Sequence, residues 1–310
     1  MSYISSILLI VAGFSCLVKG ADLFVDNASG IGTKFKISPV IIGLTIVAFG
    51  TSMPELAVSI TAALEGHNEI AVGNVIGSNI FNLLAVAGLS ACLYPLAINK
   101  LIMKRDWPLS TLAAFLLALF LVQDFHISRW ESILLLIFFA GTIFLQIQSE
   151  RKNIADAPPT EENRSIWRLI LFVIIGIALI ILGAEWSVNG ATTLARLLGC
   201  SETLIGLTIV AIGTSLPELV TSVVAAKKGE TEIAMGNVIG SNLFNILCIL
   251  GISAFLNPIS VEATAFLDAL FLTAISLVFW LLCKWRSMDR KMGILMVLTY
   301  LGYTVYIISR

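Results

Sequence analysis

Two glutamates stand where so apolar a sequence has no evident place for charge. Glu55 lies in GTSMPEL, residues 50–56, and Glu218 in GTSLPEL, residues 213–219. Each has a glycine, a threonine, a serine and a proline just before it, and each falls well inside a predicted apolar span; residues 39–64 centre near Thr51. An ionisable residue at the middle of a bilayer costs about 3 kcal/mol on insertion scales, and burial disfavours the charged form of a lone carboxylate. Two carboxylates sharing one bound cation remove that cost. Pro54 has no amide hydrogen, and its ring clashes with the carbonyl of Gly50, where glycine already weakens the helix. The expected result is a broken helix with free carbonyls around Ala48 to Thr51, repeated at Gly213 and Pro217. Carbonyl, hydroxyl and carboxylate oxygens together make a hard-cation site suited to sodium or calcium.

Both segments are followed by a second matched stretch, EIAVGNVIGSNIFN at 69–82 and EIAMGNVIGSNLFN at 232–245. Ser78 and Asn82 stand four apart and so share a helical face, as do their counterparts Ser241 and Asn245. Gly73 and Gly77, with Gly236 and Gly240, have the GxxxG spacing that lets helices approach closely. Asn79 and Asn242 add polarity beside them. Other acids read as interfacial: Asp22, Asp26, Glu185 and Asp268 near span ends, and Glu69 and Glu232 at helix N-termini, where a carboxylate is favoured. The two histidines, His67 and His126, fall in predicted loops, and the five cysteines are scattered without CxxC spacing. Zinc or copper chemistry is therefore not expected, nor a cofactor. No GxxxxGK[ST] motif supports ATP-driven pumping.

The elements that must hold these residues are transmembrane helices. Of 310 residues, 58% are hydrophobic and only 13% charged, with a net charge of −1. A soluble domain carries about a quarter charged residues, so an ordinary cytosolic enzyme, a disordered chain and a nucleic-acid binder are excluded. Ten spans of the needed length are predicted, at 4–27, 37–64, 70–94, 107–123, 130–147, 167–187, 203–226, 233–256, 262–283 and 291–309. The first lacks a positive n-region and a cleavage site and reads as a retained span. Residues 148–166 form a polar linker, too short for a folded sensor domain, between a first five-helix unit (1–147) and a second (167–310). Fifteen Lys and Arg residues lie in alternate loops, against Arg129, Arg196 and Arg310 on the other side. The positive-inside rule then puts the linker in the cytoplasm and both termini outside. A shift of 163 residues superimposes the two units, IGLTIVA at 42–48 recurring at 205–211. With five spans each, the copies enter the membrane in opposite senses, so the fold class is all-α integral membrane with inverted repeats, an architecture that brings transporter sites to mid-membrane.

The paired GTSMPE and GTSLPE segments, each followed by GNVIGSN, resemble the sodium/calcium exchanger family of the cation/calcium antiporters. That resemblance implies Glu55 and Glu218 as the principal calcium ligands, assisted by the backbone carbonyls of Thr51 and Thr214. It places sodium at flanking positions, with Ala48, Thr51, Ser52 and Ser78 on one side and Ala211, Thr214, Ser215 and Ser241 on the other. Asn82 and Asn245 match the central amide or acid positions; some relatives carry aspartate where Asn245 stands. The implied function is Na+/Ca2+ antiport by alternating access, with calcium extruded across a prokaryotic cytoplasmic membrane. Calcium and sodium are then the substrates, the bilayer is the surroundings, and neither nucleic acid nor an obligate protein partner is called for. The competing readings are Ca2+/H+ antiport through the same glutamates, a passive cation channel and a non-transporting scaffold.

Overall fold

The computed structural model describes residues 3–153, 164–200, 205, 209 and 211–309, with residues 150–153 and Ala211 described by their backbone alone. The first half comprises α1 (Tyr3–Phe35), α2 (Pro39–Thr51), α3 (Met53–Leu64), α4 (Asn68–Leu93), α5 (Ile102–Asp124) and α6 (Arg129–Asn153). The second comprises α7 (Ile166–Leu197), the short α8 (Ala211–Gly213), α9 (Leu216–Lys227), α10 (Thr231–Leu256), α11 (Ala263–Trp285) and α12 (Arg290–Ser309). Among the described residues, eight helices are long and apolar enough to cross a membrane, and the bent pair α2–α3 makes a ninth. The start of the expected span at 203–226 and most of the linker at 148–166 lie outside the described residues.

Burial sorts these helices into centre and periphery. In α4 and α10, 83% of the most apolar window is buried inside the protein, against 17% in α12. The two most enclosed helices are thus also those carrying Ser78, Asn79, Asn82, Ser241, Asn242 and Asn245, which faces their polarity inward rather than toward lipid, as intramembrane polar groups require. Two short straps join the remaining elements: β1 (His126–Ile127) pairs antiparallel with β2 (Ile259–Ser260), and Leu96 bridges Met288.

The first and sixth predicted spans prove longer than their apolar runs. At about 1.5 Å per residue, α1 with 33 residues and α7 with 32 reach well beyond a hydrocarbon core about 30 Å thick. Their polar C-terminal ends remain helical because they pack on protein: Asn27, Ala28, Gly30, Ile31 and Gly32 of α1 are buried. The two helices run antiparallel along a glycine seam. A Cβ at Gly183 would lie 2.6 Å from the Gly13 carbonyl, and one at Gly20 would lie 2.9 Å from the Gly176 carbonyl.

Among the described residues, close approach through GxxxG is made by the second copy. A Cβ at Gly236 would meet the Val40 carbonyl at 2.8 Å and one at Gly240 the Leu44 carbonyl at 2.6 Å, so α10 lies directly on the backbone of α2. Gly73 and Gly77, expected to do the same, meet nothing within 4 Å among the described residues and line a cavity of about 350 Å³ between α4, α11 and α12. The segment matching Val40–Leu44 is 203–207, of which only Ile205 is described.

Candidate cation site

The broken helices are built by Ser52 and Ser215. Ser52 leaves helical geometry at φ −85°, ψ 11°, and the helix axis turns by 51° between α2 and α3. Ser215 does likewise at φ −95°, ψ 6°, between α8 and α9. Pro54 and Pro217 then occupy the first turn of the following helix, where the missing N–H has no partner to lose. Glu55 and Glu218 sit in that same first turn, and the positive end of a helix dipole favours a carboxylate there. One expected free carbonyl is engaged: Ala48 accepts from the Ser52 amide at 3.1 Å, because the helix closes one more turn before it breaks. Gly50 receives no amide hydrogen from Pro54.

Residues far apart in sequence meet reciprocally across these breaks. Ser52 Oγ donates to Glu218 Oε1 at 2.8 Å, and Ser215 Oγ donates to Glu55 Oε1 at 3.0 Å. Both glutamates are fully buried, and in each the second oxygen, Oε2, has no hydrogen-bond partner among the described residues. A buried carboxylate oxygen without a donor is costly, so each is an oxygen available to a cation. Among the described residues, no cluster of three or more His, Cys, Asp or Glu side chains is placed to hold a metal. A cation at this pair would therefore complete its shell from hydroxyl, amide and backbone oxygens, the donor set of Na+ or Ca2+.

The remaining candidates gather around the same centre with unequal engagement. Thr51 Oγ1 lies 3.1 Å from both the Val47 carbonyl and Asn237 Oδ1, and Thr214 Oγ1 reaches Asn74 Oδ1 at 3.5 Å. Asn245 Nδ2 donates to Ser78 Oγ at 3.0 Å, while Ser241 Oγ lies 3.5 Å from Asn237 Oδ1. Asn82 is fully buried, yet among the described residues neither its amide nitrogen nor its oxygen has a partner, and Asn245 Oδ1 is also unpartnered. Asn82 and Asn245 both fall in π-helical turns, Asn82–Val86 and Phe244–Ile249, a local widening that recurs at functional positions. Ala48 is buried against α10, 2.8 Å from the Cβ position of Gly240. Ala211 lies in α8, and its side chain is outside the described residues.

Four further side chains border the glutamates in two pairs: Asn74 donates to Ser59 Oγ and the Glu55 carbonyl, and Asn237 to Ser222 Oγ and the Glu218 carbonyl. The sequence marks the two asparagines by position, though not by role. Asn74 and Asn237 recur at the 163-residue shift and stand four residues before Ser78 and Ser241 on the same helical face. The interfacial acids stay apart from this centre. Asp22 and Asp26 pair with Lys228 at 2.7 and 2.6 Å, Glu232 accepts from Asn99 at 2.7 Å, and Glu69 and Asp268 line the α4–α11–α12 cavity.

Long apolar helices around an enclosed polar core define an integral membrane protein of the transporter class. The sequence matches the family model described as sodium/calcium exchanger protein over residues 5–148 and 168–309, and the chain belongs to that family. It is 37% identical to the inner membrane protein YrbG of Escherichia coli (strain K12), across 96% of this chain and 94% of that one. It is 33% identical to the sodium/calcium exchanger MaX1 of Methanosarcina acetivorans, across 96% and 97%. Its structure is similar to that of the sodium-calcium exchanger NCX_Mj, with a TM-score of 0.85 at 31% identity, covering 99% of this chain and 100% of that one. Membership makes the chain an antiporter of cations including calcium, from a family of exchangers rather than enzymes.

Proposed function

We propose that the chain exchanges Na+ for Ca2+ by alternating access and extrudes calcium on the inward sodium gradient. The observation that carries this reading is the reciprocal bonding of Glu55 and Glu218 to the opposite serines, which leaves one unpartnered oxygen on each buried carboxylate. One calcium neutralises both carboxylates. Sodium ions do the same through overlapping oxygens of Thr51, Ser52, Ser78 and the Ala48 carbonyl, and of Thr214, Ser215, Ser241 and the Ala211 carbonyl, with Asn82 and Asn245 at the centre. Competition for shared oxygens keeps the two ions from binding fully together, and that competition couples their movements.

Ten spans in two five-helix units, 1–147 and 167–310, inverted about the linker 148–166, form the working architecture. The antiparallel packing of α1 on α7, which match at the 163-residue shift, supports opposite senses for the two copies. The excess of Lys and Arg in alternate loops puts the linker in the cytoplasm and both termini outside. A prokaryotic cytoplasmic membrane fits, as one relative is named an inner membrane protein.

Purified protein in proteoliposomes tests the reading. Calcium uptake should follow an imposed sodium gradient, and Glu55→Gln and Glu218→Gln should each remove nearly all of it. Uptake driven by a pH gradient in sodium-free buffer would replace sodium by protons, and undiminished exchange in either glutamine variant would refute the site.

A further inference from the structure

We propose that Asn74 and Asn237 are positioning residues that lock the two halves of the cation site into one geometry. This rests on the cation site proposed above. Each amide engages both copies of the repeat at once. Asn74 Nδ2 donates to the Glu55 backbone carbonyl at 3.2 Å and to Ser59 Oγ at 2.9 Å, while its Oδ1 accepts from Thr214 Oγ1 of the other half at 3.5 Å. Asn237 mirrors this: Nδ2 donates to the Glu218 carbonyl at 3.4 Å and to Ser222 Oγ at 2.9 Å, and Oδ1 accepts from Thr51 Oγ1 at 3.1 Å.

These bonds close a ring with the serine–carboxylate pairs. From the Glu55 carbonyl the path runs through Asn74 to Thr214, along the chain to Ser215, and back through its hydroxyl to the Glu55 carboxylate. The second ring runs from Glu218 through Asn237 and Thr51 to Ser52 and returns to Glu218. Each ring fixes one glutamate at both its backbone and its side chain relative to the opposite helix break. Only a carboxamide of this size supplies two donors and an acceptor together. Aspartate lacks the donors, and alanine removes both the donors and the acceptor, leaving the glutamate carbonyl only its helical amide. Both amide groups are engaged in these rings, unlike the unpartnered amide of Asn82, so they act through the ligands and not as ligands.

The rings are not equal. Asn237 is fully buried and its contact with Thr51 is 3.1 Å, whereas Asn74 is half-buried and its contact with Thr214 is 3.5 Å. Hydrogen bonds strengthen in the drier environment, so the second ring carries more of the restraint.

Sodium-dependent calcium uptake in proteoliposomes separates positioning from folding by its two kinetic constants. Asn237→Ala should raise the half-saturating calcium concentration about tenfold, the equivalent of about one buried hydrogen bond to a buried group, with a smaller fall in maximal rate. Asn74→Ala should raise it about threefold on the same scale. In Thr51→Val, which opens the same ring, adding Asn237→Ala should cost less than the product of the two single effects. Unchanged half-saturation in both alanine variants, or a strictly multiplicative pair, would overturn the proposal. Should either alanine variant fail to assemble, Ser222→Ala decides, since Ser222 holds the Asn237 amide from the side away from Thr51: a severalfold rise supports the ring, and a wild-type constant overturns it. Glu55→Gln in the same vesicles keeps the two readings distinct. Exchange surviving there refutes the cation site itself; exchange lost there with wild-type constants in the asparagine variants refutes only the rings.

Discussion

Replacing Lys228 by glutamine should shift the protein away from the conformation described here, because Lys228 pins one end of the α1–α7 pair to the rest of the protein. Its Nζ lies 2.7 Å from Asp22 Oδ1 and 2.6 Å from Asp26 Oδ1 of α1, and the neighbouring Glu230 accepts from Ser29 of α1 at 3.0 Å. Asp22 and Asp26 keep 60% and 53% of their side-chain surface exposed, so each ion pair contributes only about 0.2–1 kcal/mol. Together they bias the population by roughly two- to thirtyfold. The repeat does not duplicate this clamp: the positions 163 residues away are Glu65, Glu185 and Asn189, which lack a lysine between two acids. Partial burial works against the Lys228 charge, but the hydrogen bonds and charges of Asp22 and Asp26 outweigh it and hold its pKa above the ordinary lysine value. A raised lysine pKa stabilises below the unfolded value of about 10.4 and loses that effect only as pH rises through the folded value. The clamp's lysine therefore stays charged across neutral pH and is weakened by salt instead. Thiol labelling of a single cysteine placed at residue 33, one turn beyond Ser29 on α1 and outside the clamp, with and without Lys228→Gln, reads the opening at this end. Labelling should speed up severalfold in the variant, and raising the ionic strength should speed the parent but not the variant. Equal rates at low salt would refute the reasoning.

Three further changes probe other layers. Gly183→Leu forces side-chain atoms into a space where even a Cβ is 2.6 Å from the Gly13 carbonyl, so the α1–α7 seam should open, lowering the melting temperature in detergent and abolishing exchange. Asp106→Ala removes the partner of Arg105, which bonds the buried carboxylate through both Nε and Nη2 at 2.9 Å; thermal melting should show a loss of about 3–5 kcal/mol, with the sodium and calcium dependence of any remaining flux unaltered. Asn245→Asp puts a third carboxylate beside Ser78. A bound cation favours the ionised form of a carboxylate, so a pH-sensitive dye should report more protons released per calcium bound than in the parent, and equal release would place the new carboxylate outside the cation's reach.

How much of this was legible in the sequence depends on how far each interaction reaches. Glu55 and Glu218 stood out because an acid inside an apolar span has no inexpensive alternative to being functional. Ser52, Ser215, Ser78 and Asn245 followed from repetition. Asn74 and Asn237 did not, although they lie in the same repeated segments, since their meaning resides in contacts 140 and 186 residues away that only folding creates. The π-helical turns at Asn82 and Phe244 left no local mark either, being set by packing between α4, α10 and their neighbours. Gly236 and Gly240 use the close contact that GxxxG spacing permits, against the backbone of α2; the segment matching that part of α2, 203–207, lies outside the described residues but for Ile205.

The ring arrangement also bears on how the proposed site would serve two ions of different charge. On that proposal, calcium brings two charges to one point and must satisfy both Glu55 and Glu218 together, so its binding would depend on how well the halves are held in register. Sodium ions bring one charge each and would occupy either half with its own serine, threonine and carbonyl oxygens. Loosening the register should therefore harm calcium more than sodium. In the asparagine variants the half-saturating calcium concentration should rise by a larger factor than the sodium concentration that half-inhibits uptake, and equal factors would mean that the two ions read the same rigid frame.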